Sequence, residues 1–192
     1  MGDQPEKTSV IEYPYRLSIL ICHLNERAVK LAELMAVLEP QLTPDVQLLV
    51  ESDSGEMDIG AKRNKLLFNA RGTYVAYIDD DDQVTPDYIA SIMKAIETGP
   101  DCVGIEGILR FGNDPDRKFI HSVSVNEWRE GEDGIFYRSP NHLNPVRKDI
   151  AMQVKFVESM NHGEDHDYSR RIQPLLSSEV YIGHPIYIYR KS

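Results

Sequence analysis

The sequence predicts an α/β fold in which a parallel half sheet is followed by a smaller half of mixed or antiparallel strands. Three observations carry this. Through the first hundred residues short apolar runs alternate with stretches of helical period, each run ends in polar or acidic residues, and after residue 100 the alternation gives way to strand-like runs separated by turn residues.

Residues 1–15 are polar, contain proline and show no period, so a loose N-terminal arm is expected ahead of a single domain over 16–192. Leu17–Cys22 is the first strand and ends in the polar loop His23–Arg27. Ala28, Leu31, Met35 and Leu38 then recur at helical spacing until Pro40 stops them. Val46–Val50 is a second strand running into Glu51–Gly55, followed by a helix from about Ile59 to Ala70, with Gly72 where a left-handed cap is expected. The β-branched and aromatic run Thr73–Ile78 leads straight into four carboxylates, Asp79–Asp82. A third helix from Pro86 to about Thr98 puts Ile89, Ile92, Met93 and Ile96 on one face and ends at Gly99-Pro100. Three strand-helix units in succession imply a parallel, Rossmann-like half sheet over 16–100.

In 101–192, strands are expected over Cys102–Phe111, Phe119–Val125 and Ile135–Tyr137, with Trp128 in a wide loop between the last two. Helices are expected over Pro145–Val154 and about Asp165 to Leu175, and a closing strand over Ile182–Tyr189. The first half is then suited to a donor and the second to shaping what meets it.

The 192 residues, 41% hydrophobic and 27% charged, suit one domain with a sizeable core. A net charge of −10 with no Lys/Arg cluster argues against nucleic acid as a partner, so any phosphate ligand is a small one. Cys22 and Cys102, the only cysteines, each lie in an apolar run, which suits buried thiols of a reducing compartment. With no signal-peptide pattern and no apolar stretch near 18 residues, a cytoplasmic protein without a membrane segment is expected.

Four adjacent carboxylates repel one another, and open α/β sheets bind ligands at the carboxyl ends of their strands. A hard divalent cation carrying a phosphorylated ligand would neutralise the cluster. Cys22–Arg27, Glu51–Gly55 and Asp79–Asp82 all stand at such strand ends and can converge on one ligand. Lys62 and Arg63, on the helix between the second and third strands, are either a solvated face or cations for a diphosphate. The acids of Gly163–Asp167 are either helix-start residues or a second functional carboxylate group.

Taken in order, these segments resemble the GT-A glycosyltransferases of the family-2 type. The resemblance rests on Ser18–Asn25, on Lys62-Arg63-Asn64, on Ala70-Arg71-Gly72, on Tyr77–Asp82 with Pro86-Asp87 after it, on Gly163-Glu164-Asp165, and on the closing Pro185–Arg190. It implies the GT-A fold, a nucleotide-sugar donor of the UDP type, a hydroxyl acceptor, and Mn²⁺ or Mg²⁺ bound at an Asp-x-Asp motif. On the positions it matches, Cys22, His23, Leu24, Glu51 and Asp53 would bracket the base, and Arg63 would approach the diphosphate. Asp79 and Asp80 would address ribose and metal, and Asp81 would be the direct metal ligand. Asp165 would be the catalytic base, with Glu164 lining the acceptor side; His184 and His142 are the candidates for a further metal ligand. Leu24 stands where the family often has an aromatic, and Glu51-Ser52 where it often has paired Asp. The implied reaction inverts the anomeric carbon: metal stabilises charge on the leaving diphosphate while a carboxylate takes the acceptor proton. The chain lacks the membrane domains of larger relatives, so the acceptor is expected to be soluble or presented by a partner.

Two other readings remain open from the sequence. Asp80–Val84 also fits the Asp-x-Asp-x-Val pattern of haloacid-dehalogenase-like phosphatases, although two strand-helix units precede it and no further motif of that class is evident. The other is a nucleotide-sugar-binding module without turnover. An EF-hand is excluded, because Val84 and Ala90 stand where its glycine and bidentate Glu belong.

Overall fold

Hydrophobic alternation along the first strand sets the layers of the computed structural model, which describes residues 13–112, 114–160 and 162–191. The expected arm lies outside the described residues over 1–12. In β1 (Tyr15–Leu24), Leu17, Ile19 and Ile21 enter one apolar cluster and Leu20 and Cys22 the other. Helix α1 (Ala28–Leu38) packs Leu34 and Leu38 on the first face. Strand β2 (Val46–Asp53) pairs with β1 in parallel, and α2 (Ile59–Asn69) covers the second face with Leu66 and Leu67. Strand β3 (Gly72–Asp79) flanks β1 on its other side, also in parallel, and is likewise buried on both faces. The register sets Cys22 opposite both Glu51 and Asp79, so the three polar strand ends share one edge of the sheet.

Gly72 is not a helix cap. Helix α2 ends with Ala70 extended (φ −61°, ψ 139°), and Gly72 opens β3 instead. A Cβ there would lie 2.6 Å from the backbone of Leu17 and Ser18, so glycine serves the close approach to β1. The helix stop expected at Gly99-Pro100 is found, with Gly99 left-handed at φ 72°.

Beyond the acidic turn, β4 (Gln83–Val84) precedes α3 (Tyr88–Ala95), whose Ile89 and Ile92 join the α1 side of the core. In the second half, β5 (Cys102–Phe111) pairs antiparallel with β6 (Arg117–His121). Strand β6 stops at His121 rather than at Val125, where Ser122 begins a turn closed by the Val125 N–H. Short strands β7 (Arg129–Glu130) and β8 (Phe136–Arg138) follow. The expected helix from Pro145 begins later: β9 (Val146–Arg147) first pairs with β3, and α4 (Lys148–Val154) and α5 (Glu164–Ile172) then pack on the α2 side. The last strand, β10 (Glu179–Lys191), is longer than expected, runs parallel to β5 with a break in register around Pro185, and pairs antiparallel with β4. The ten strands of the described residues form one sheet with path β2-β1-β3-β9-β5-β6-β8-β7 and β10 beside β5 and β4. The mixed half therefore extends the sheet of the parallel half.

Candidate active site

The four carboxylates at the end of β3 do not face one another; four different parts of the chain meet them. Asp79 accepts from Arg63 and lies against His142 Nε2, both at 3.2 Å. Asp80 is buried and takes the His23 ring (2.8 Å), the Leu24 N–H (2.9 Å) and Arg27 (3.0 Å). Asp81 is half-exposed beside Arg27 (3.2 Å) and Lys30 (3.9 Å). Asp82 is buried beneath the Tyr187 hydroxyl (2.7 Å) and the Arg190 N–H (2.8 Å), both from β10. Protein groups thus supply much of the neutralisation that the sequence assigns to a metal. Among the described residues, no group of three or more His, Cys, Asp or Glu is arranged to hold a metal ion.

Ionisation follows these partners. Burial opposes the charge on Asp79, but its contacts with His142 and the Arg63 guanidinium outweigh that and hold this carboxyl well below its usual range. Burial pushes Asp82 up to about 8, with the Asp79 charge adding to the effect and the two donors from β10 offsetting part of it. Burial also raises Asp81.

Arg63 is the central cation. Buried on α2, it donates to Glu164 (2.9 Å) and Asp79 (3.2 Å) and lies over the Phe156 ring, which also stacks on Tyr168. Asn64, the next residue, clamps the backbone N–H and C=O of Phe156 and so fixes the ring beneath Arg63.

Two cavities meet at the Arg63–Asp79 pair. One, of about 340 Å³, is lined by Cys22, Leu24, Arg27, Met57, Ile59, Lys62, Asp80 and Asp81 besides the pair. The other, of about 420 Å³, is lined by Asp165, Glu164, His142, Asn141, Trp128, Arg138 and Tyr189 among others. Cys22 and Leu24 thus line the first cavity, while His23 faces Asp80 as an anchor. Glu51 pairs with Lys65 (2.6 Å), and Asp53 holds the buried Lys62 (2.6 Å) and the Gly55 and Met57 N–H groups; neither acid lines the cavity. Glu164 is engaged by Arg63, whereas the Asp165 carboxylate accepts, among the described residues, only the N–H of His166 and stands half-exposed in the second cavity.

The two candidate histidines separate. His142 joins Asp79, and its buried Nδ1 has no partner. His184 pairs with Asp87 (2.8 Å) and lines a different cavity between α3 and β10, so the structure does not bring it to Asp79 or Asp81. Sequence reasoning missed Arg27, which bridges Asp80 and Asp81, as well as Tyr187, Asn141 and Arg138. The single Trp in a turn-rich loop was a further local signal for the second cavity, beside His142, Glu164 and Asp165.

Residues 48–160 match the family described as Glycosyl transferase family 2. Over 142 residues the chain is 25% identical to EpsH of Bacillus subtilis (strain 168), a glycosyltransferase by assignment; the match covers 69% of this chain and 41% of that protein. The fold is similar to that of S. aureus TarS 1–349 in complex with UDP-GlcNAc, with a TM-score of 0.66, 12% identity, and coverage of 92% of this chain and 59% of that one. The same TarS fragment in complex with UDP gives a TM-score of 0.61 at 16% identity, covering 92% of this chain and 61% of that one. The chain therefore spans about two-fifths of its curated relative and about three-fifths of the TarS fragment.

Proposed function

Since the chain belongs to glycosyl transferase family 2 and has a GT-A type fold, we propose that it transfers a sugar from a UDP-sugar to an acceptor hydroxyl, with inversion and with Asp165 as the base. The observation that carries this is the contrast between two neighbouring acids. Glu164 is tied to Arg63, while Asp165 keeps a free carboxylate in a cavity that opens on the same Arg63–Asp79 pair. A base must reach the proton it removes, and an acid already accepting from a buried guanidinium is poorly placed to do so.

In this reading the cavity lined by Leu24, Met57 and Ile59 takes the nucleoside, and the Arg63–Asp79 junction lies beneath the diphosphate. Lys62 and Asp53 shape the floor, since the Lys62 ammonium also holds the His23 carbonyl (2.9 Å). The acceptor enters from the Trp128 side, and its hydroxyl gives up its proton to Asp165 as the bond to the anomeric carbon forms. Inversion follows from a single displacement with the base opposite the leaving group.

The donor set suits a divalent ion that arrives with its phosphates. Asp79 and Asp81 have partly exposed carboxylates on one cavity, and magnesium-like ions are often held by one or two carboxylates with substrate oxygens completing the shell. Such an ion would stabilise charge on the departing diphosphate. We further propose that 16–192 acts as one unit, with 16–100 serving the donor and 101–192 the acceptor. No described helix is long and apolar enough to cross a membrane, and an intracellular site of action is part of the proposal. The phosphatase reading gives way: the second acid of its motif, Asp82, is buried beneath Tyr187 and Arg190.

A thermal-shift panel of UDP, UDP-sugars and other nucleoside diphosphates, with Mn²⁺ or with chelator, tests the donor half of the proposal. Stabilisation by UDP-sugars that needs the metal is expected. Hydrolysis or transfer of the bound sugar then separates an enzyme from a binding module.

A further inference from the structure

The second cavity holds a cation without an ion-pair partner among the described residues, and Asp165, on the same cavity, acts on it only from beyond ion-pair distance. Arg138, at the end of β8, lies with its guanidinium 4.6 Å above the Trp128 ring and lines the cavity beside Asp165. Several other arginines have carboxylate partners: Arg63 has Glu164, Arg110 has Asp116, Arg117 has Glu130 and Arg171 has Asp167; Arg16 and Arg129, which have none among the described residues, are exposed, whereas Arg138 is half-buried. Among the described residues Arg138 has no carboxylate within ion-pair distance and no side-chain hydrogen bond, although the chain carries a net charge of −10. A partly buried guanidinium without a counter-charge costs stability unless a ligand supplies one.

Two further features of the same cavity point to a ligand. The Asn141 side chain is 1% exposed and lies by the buried His121 ring; its Oδ1 accepts the Leu143 N–H (3.0 Å), which fixes the amide, and its buried Nδ2 makes no hydrogen bond of normal geometry among the described residues. Trp128, Tyr189 and Phe111 give the cavity aromatic walls, and the indole is held in place by its hydrogen bond to Ser139 (3.0 Å). An aromatic wall, a buried amide and a guanidinium without an ion-pair partner together describe a sugar that carries a negative charge.

We propose that this cavity binds a glycan acceptor bearing an anionic group, with a sugar face on Trp128, the anion on Arg138 and a hydroxyl on Asn141. The assignment of this ligand as acceptor rests on Asp165 being the base; the binding chemistry does not. The anion is a carboxylate, as in a uronic acid, or a phosphate, and both present oxygens to the guanidinium fork.

Trp128 is the only tryptophan, so its fluorescence reports this cavity directly. Glucose, glucuronate and glucose 6-phosphate are titrated without nucleotide, and UDP affinity is measured separately by calorimetry. At least one anionic sugar should bind tenfold or more tightly than glucose, and which one identifies the source of the charge. Arg138→Gln should abolish the preference and Arg138→Lys should keep part of it, with melting temperatures confirming that both variants fold. Equal affinity for charged and neutral sugars, no response to any of them, or a preference surviving in Arg138→Gln would overturn the proposal. A loss of UDP affinity in Arg138→Gln with unchanged sugar binding would overturn it too, since the cation would then serve the diphosphate. Failure of UDP to bind the wild type would sink the donor reading and leave this one standing.

Discussion

The guanidinium of Arg63 reaches the carboxylate of Glu164 at 2.9 Å across 101 residues of sequence, tying α2 to the start of α5. The same side chain holds Asp79 at the end of β3, so one buried cation fixes the relative position of both cavities.

Removing that cation should damage the fold before it damages binding. Arg63→Ala takes the guanidinium from two partly buried carboxylates, leaving Asp79 only His142, and should cost about 3–5 kcal/mol of stability by denaturant unfolding. A loss below about 1 kcal/mol would show that solvent already screens the pair.

Asp165→Asn should leave melting temperature and UDP affinity near the wild-type values while sugar transfer falls by about 100- to 10,000-fold. Glu164→Gln should behave differently, lowering stability because it weakens a hydrogen bond from Arg63. Intact turnover in Asp165→Asn would move the base to another acid of the second cavity.

Asp81 and Asp80 should separate in a metal titration. Asp81→Asn keeps the fold and should weaken UDP binding only when Mn²⁺ is present. Asp80→Asn disturbs the anchor of His23, Leu24 and Arg27 and should weaken binding with or without metal. Calorimetry in chelator distinguishes them, and equal behaviour of the two variants would count against Asp81 as the ligand.

Asp82 should make stability pH-dependent in the direction opposite to an ordinary ion-paired acid. Its carboxyl, raised to about 8 in the fold, binds a proton more tightly there than in the unfolded chain. Its contribution is therefore fully present in acid and lost as pH rises through about 8, whereas Asp79, shifted down, contributes above the ordinary carboxylate range and loses its contribution in acid. Melting temperature followed from about pH 5 to about pH 9 should fall for the wild type and change less for Asp82→Asn, even if that variant is less stable throughout. Parallel curves would show that Asp82 titrates normally.

The parallel half of the fold was legible because its signals are local. Strand runs, helical period and the Gly99 stop lie within single windows, and the parallel pairing they imply brings Cys22, Glu51 and Asp79 to one edge. The second half was harder. Strands β9 and β10 are set by pairing with distant strands, and nothing local tells the close approach at Gly72 from a helix cap. In the site, the acidic turn was visible but its partners were not: His23 meets Asp80 across 57 positions and Tyr187 meets Asp82 across 105. A run of charge in sequence therefore suggested an unmet demand that the folded chain largely answers from within.

The shared wall between the two cavities makes their occupants thermodynamic partners. Arg63 and Asp79 face both spaces, so a ligand in one that draws Asp79 away from the guanidinium changes the field and the shape offered to the other. Such coupling is reciprocal: the factor by which the first occupant alters affinity for the second equals the factor in the opposite order. Cooperativity between the two substrates would then need no moving domain, only a two-way choice of partner by a single carboxylate.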